Sequence, residues 1–103
     1  MDPDDPVRDE LIARVTAVGR RVPLARPDEL APDIDAIRLI AHRHGYNPAV
    51  TVAHFLASAL ARGERGPLVH GWLTILAEAV RSDRQDLAAC EAYAAACSVR
   101  LSV

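Results

Sequence analysis

Residues 40–48 read Ile40-Ala41-His42-Arg43-His44-Gly45-Tyr46-Asn47-Pro48, and this stretch decides the fold. Gly45 is the residue type that takes the left-handed conformation just past a helix end, and Tyr46 supplies the apolar residue that often follows it. Asn47-Pro48 then reads as an N-cap and a first-turn proline. One helix stops and the next starts within about three residues, which makes a short helical corner.

The pattern extends in both directions. Upstream, a helix over about 34–44 is capped by Asp33, with Ile34, Ile37, Ile40 and Ala41 inward and Asp35, Arg38, His42 and Arg43 outward. Downstream, the segment 48–62 is apolar almost all round. Val50, Val52, Phe55, Leu56 and Leu60 give it bulk, and Thr51, His54, Ser58 and Arg62 form its thin polar stripe. Gly63 ends it, and Gly66-Pro67 opens a similar helix over about 67–81, whose polar stripe is His70, Thr74, Glu78 and Arg81. Helices apolar on most of their circumference are buried from several sides. The segments 48–62 and 67–81 are therefore expected to form a central apolar hairpin.

Further out, Val7, Leu11, Val15, Val18 and Val22 mark an amphipathic helix over about 6–20, entered through Asp5-Pro6. Residues 1–5 are expected to be an acidic or disordered start. Pro23, Pro27 and Pro32 punctuate residues 22–33, which read as a connector with at most a single turn at Pro27-Asp28-Glu29-Leu30. Ser82-Asp83-Arg84-Gln85 resembles a capping box opening a last helix over about 83–99. Along that helix Leu87, Cys90, Ala94, Cys97 and Leu101 repeat at three, four, three and four, a coiled-coil-like seam. The expectation is all-α: one domain over 1–103, a small bundle of four to five helices.

Composition narrows function. The chain has 103 residues, half of them apolar, with a formal charge of −2. All 12 basic residues are arginine. Without lysine, Schiff-base chemistry, a pyridoxal anchor and the lysine-dependent phosphate loop are unavailable to it. The balance of charge lacks the footprint of a general nucleic-acid or membrane binder. The opening Met1-Asp2-Pro3-Asp4-Asp5-Pro6 lacks the basic-then-apolar order of a secretory leader, and a cytoplasmic location is expected. Cys90 and Cys97, seven apart on one helix, stand about 10.5 Å apart along its axis, beyond disulfide reach, and read as packed thiols.

No arrangement points strongly to catalysis. No serine lies in a Gly-x-Ser-x-Gly elbow, and no glutamate precedes a histidine by three as a di-iron bundle would require. His54, His70 and Glu78 are weak candidates for a metal site. Neither a cofactor nor a catalytic residue is expected, and the balance leans away from an enzyme.

The run Ile40–Asn47 resembles the first helix and turn of a helix-turn-helix DNA reader. That resemblance implies a DNA-binding regulator using the helices at about 34–44 and 48–62. It covers about eight residues and then departs from the pattern: Thr51 and His54 stand where a recognition helix has apolar residues, and its outward face lacks the polar and basic groups that read DNA.

The leading expectation is a non-enzymatic helical assembly module, an adaptor or regulatory subunit. It joins with itself as a homodimer and with another protein, because three helices are too few to cover two that are apolar all round. The expected interface residues are Trp72, Tyr93, Leu87, Cys90, Ala94, Cys97 and Leu101. A small metal- or ligand-binding bundle is the remaining alternative.

Overall fold

The computed structural model describes residues 5–102 and contains five helices: α1 (Pro6–Arg21), α2 (Pro27–Arg43), α3 (Asn47–Ala61), α4 (Pro67–Arg81) and α5 (Leu87–Ser102). The chain is an all-α bundle, and no strand occurs among the described residues. The expectation for residues 1–4 lies outside the described residues. Asp5 N-caps α1, its carboxylate accepting from the amides of Val7 at 3.0 Å and Arg8 at 3.2 Å.

The α2–α3 corner closes as a Schellman motif. Tyr46 N–H donates to Ala41 C=O at 2.9 Å and Gly45 N–H to His42 C=O, with Gly45 at φ 75°. Gly63, at φ 85°, repeats the arrangement after α3, where Glu64 N–H donates to Ala59 C=O at 3.2 Å. Tyr46 is buried, so the corner is anchored in the core as well as hydrogen-bonded.

α3 is the central helix. It packs on α2, α4 and α5, while α1 packs on α2 and α4. The α3–α4 hairpin is thus covered more completely than the sequence suggests. Val52, Ala53, Leu56 and Ala59 of α3, and Trp72, Leu76 and Val80 of α4, are fully buried. Alanines at 49, 53 and 59 allow that crowding, since a small side chain lets neighbouring backbones approach.

Two helix starts differ from expectation. The connector does not span 22–33: α2 begins at Pro27 and runs through Pro32 without a break. Pro27 occupies the first helical position, where a missing N–H is harmless. Leu30 and Pro27 are both buried, in line with the stripe Ile34, Ile37 and Ala41. Burying a leucine contributes about 1.5–3 kcal/mol, and with Pro27 this offsets the roughly 3 kcal/mol that a proline costs inside a helix. The second difference is α5, which starts at Leu87 rather than 83. Ser82 closes only a local turn, its hydroxyl accepting from Arg84 N–H at 3.2 Å. Asp86 is the cap, accepting from Ala89 N–H at 2.8 Å. That bond, with the Arg84 guanidinium beside it, holds the Asp86 carboxyl below its ordinary pKa.

Candidate functional site

α5 lies across the bundle antiparallel to α4. Its larger side chains turn inward: Cys97 is fully buried, and Cys90, Tyr93, Ala94 and Leu101 are half-buried. Its outer face consists mainly of Ala88, Ala92, Ala95, Ala96 and Val99, all exposed. The seam expected to meet a partner therefore faces the body of the protein from Cys90 onward. Both faces of α5 are apolar, and the bulkier one takes the core because it removes more area from water. Trp72 is likewise a core residue at 0 % exposure, so no partner can reach it. Of the expected interface residues only Leu87, at 73 %, stands free.

Between α4 and α5 runs an open groove of about 500 Å³, within the range of ligand and partner clefts. Leu68 and Ile75 of α4 and Ala96, Val99 and Leu101 of α5 line it, with Arg62, Glu64 and Arg100 at one end. Leu68 is 54 % and Val99 67 % exposed, and the two stand together on one face.

The polar end is built around Trp72. Its indole N–H donates to a Glu64 carboxylate oxygen at 3.3 Å, and the Arg100 guanidinium lies over the ring at 5.3 Å. Arg100 Nη2 donates to Leu68 C=O at 3.1 Å, and Arg62 Nη1 donates to Leu101 C=O at 3.1 Å. Gly71 makes the arrangement possible. A Cβ there would overlap Arg100 Nη2 and stand 2.7 Å from its Cζ, so the glycine holds a seat for a guanidinium rather than for a neighbouring helix.

Arg100 is under-satisfied. Its Nε is shielded from water and has no hydrogen-bond acceptor among the described residues. Three arginines are half-buried: Arg8, Arg38 and Arg100. Arg8 pairs with Asp83 and Arg38 with Asp35, whereas Arg100 has no carboxylate within ion-pair distance among the described residues. One turn past Ile75 on α4, beyond the groove lining, Glu78 is exposed and has no ion pair among the described residues. It stands near enough to Tyr93 to reinforce the effect of burial, and both raise the phenol's pKa.

The alternative sites are not assembled. His54, His70 and Glu78 all lie at the surface, and no group of three or more His, Cys, Asp or Glu among the described residues is placed to hold a metal ion. α3, the helix that a DNA reader would insert in the groove, is enclosed by α2, α4 and α5 and leaves only Asn47, His54 and Ala61 exposed. Both cysteines are free thiols, and burial raises the Cys97 pKa. Among the described residues no helix is long and apolar enough to cross a membrane.

The large apolar residues left exposed are Leu24 between α1 and α2, Leu39 of α2, Leu68 of α4, and Leu87 and Val99 of α5; of these Leu68 and Val99 share the groove. Residues that sequence reasoning missed are Leu68, Val99, Arg100 and Gly71. The exposed stripe at 88, 92, 95 and 99 has the same four–three–four spacing as the seam proposed from sequence, and only side-chain size could have ranked the two. No family model, curated protein or solved structure matches the chain.

Proposed function

We propose that the protein is a non-enzymatic helical assembly module that works as a homodimer, an adaptor or regulatory subunit joined through its α4–α5 face. The observation that carries this reading is the groove, in which Leu68 and Val99 remain largely exposed beside Ile75 and Ala96. Exposed apolar side chains gathered on one face mark an interaction surface, because water wets them at a free-energy cost that a partner removes. The alanines of α5 suit a close helix–helix approach, and the aliphatic side chains on either side supply the area. A cytoplasmic location accompanies this reading, since Cys90 and Cys97 are free thiols.

Size-exclusion chromatography with light scattering tests it. The full chain should run at twice the monomer mass, and Leu68→Asp with Val99→Asp should return it to the monomer without loss of helicity. A wild-type chain that stays monomeric at high micromolar concentration defeats the reading.

A further inference from the structure

The α4–α5 groove carries Arg62 and Arg100 at one end, and Glu78 stands one turn past Ile75 beyond the other, so that the face is complementary to itself when reversed. The register of the helix pair sets those positions. Arg100 rests on Gly71, Ile75 and Ala96 line the same stretch of groove, and Glu78 acts on Tyr93. From the Arg100 end to the Glu78 end is seven residues on either helix, about 10.5 Å. Ile75 and Ala96 lie midway. The basic end holds Arg62 and Arg100 with Glu64, whose carboxylate accepts from the Trp72 indole. The acidic end holds Glu78.

We infer that two copies meet face to face about a two-fold axis passing close to Ile75 and Ala96, so that Glu78 of each copy reaches Arg62 and Arg100 of the other. The inference rests on the self-association proposed above and adds its geometry. A two-fold axis that crosses the groove brings the patch onto itself reversed. Here reversal places acid on base at both ends and apolar on apolar between them. A two-fold axis along the groove would instead set the arginine ends together, and opposed like charges disfavour an interface. The two-fold pairing also supplies a counter-charge that Arg100 does not find among the described residues. A carboxylate from the partner neutralises a half-buried guanidinium that no described residue neutralises, and arginine's planar fork suits such a pair. Near the axis Ala96 meets its own copy, and its small side chain lets the two α5 helices draw close.

Charge reversal of the whole chain tests this. In sedimentation or light scattering, Glu78→Arg and Arg62→Glu should each weaken the dimer, by roughly tenfold or more. The double variant Glu78→Arg/Arg62→Glu should recover most of the loss. Arg100 is left in place because it packs on Trp72. Independently, Ala96→Cys in a Cys90→Ala background should form an intermolecular disulfide on mild oxidation, whereas Leu87→Cys in the same background should not. Circular dichroism establishes that each variant remains helical. If the wild type is a dimer but neither reversal weakens it and Ala96→Cys fails to cross-link, the two-fold arrangement is wrong and self-association stands. If the wild type is a monomer at high micromolar concentration, both fall together.

Discussion

Two arginines, one at each end of α4, are placed in similar ways and serve different ends. Arg8 lies over the Tyr46 ring at 5.5 Å, and Arg100 lies over Trp72 at 5.3 Å. Each donates to main-chain carbonyls of or beside α4. Arg8 meets the C-terminal end, with Nε donating to Val80 C=O at 3.1 Å and Nη2 to Ser82 C=O at 3.3 Å. Carbonyls there lack helical partners, and the helix dipole favours a cation. Asp83 completes the site at 3.7 Å. Arg100 meets the N-terminal end, where the dipole opposes a cation and where Leu68 C=O already belongs to the helical ladder. Equal geometry thus has unequal worth: Arg8 closes the fold, whereas Arg100 holds a charge with no counter-charge among the described residues.

The largest effect expected concerns the platform beneath Arg100. Trp72 is fully buried, so Trp72→Ala should lose about 3–5 kcal/mol in chemical denaturation. A loss below about 1 kcal/mol would mean that Trp72 serves the groove and not the core. Such measurements belong at fixed concentration, because the self-association proposed above would add to apparent stability.

The arginines themselves come next. Arg8→Met removes charge-assisted bonds to two carbonyls at a helix end and should cost about 1.5–3 kcal/mol. Arg100→Met keeps an apolar stem over Trp72 and gives up a stacking contact worth about 1 kcal/mol or less. Its stability should fall by less than that, while its dimer weakens. Equal losses from the two variants would erase the distinction between the two ends.

Local punctuation explains which parts of this were legible in the sequence. Gly45 with Asn47-Pro48, and Gly63 with Gly66-Pro67, act through their own backbone preferences, and they placed α3 and α4 within one residue. Pro32 misled because its effect is decided by burial elsewhere on α2, which periodicity hinted at through Leu30 but could not weigh. Ser82 and Asp86 are both good N-cap residue types, and the sequence alone does not say which of them opens α5. α5 was ambiguous for a deeper reason. A helix apolar on two faces has no moment to orient it, so Cys97 and Val99 could equally have pointed inward. The Arg100 seat was out of reach, since Gly71 and Arg100 are far apart in sequence and nothing local couples them.

The smallest effect provides the finest test of that seat. Gly71→Ala replaces a mid-helix glycine, which by itself should stabilise α4 by about 0.5–1 kcal/mol. The added methyl must push aside the Arg100 guanidinium, the far end of a flexible side chain. If Arg100 contributes as little to the single chain as its place at the positive end of α4 implies, the helix gain survives. Gly71→Ala, measured in the Glu78→Arg background at a concentration where light scattering shows a monomer, should then be more stable by about 0.5 kcal/mol or less. Displacing the cation should also shift the Trp72 fluorescence. A fall of more than about 1 kcal/mol would instead give the seat a structural weight comparable to that of Arg8. The counter-charge supplied by a second copy would then be unnecessary to account for why the glycine leaves room for it.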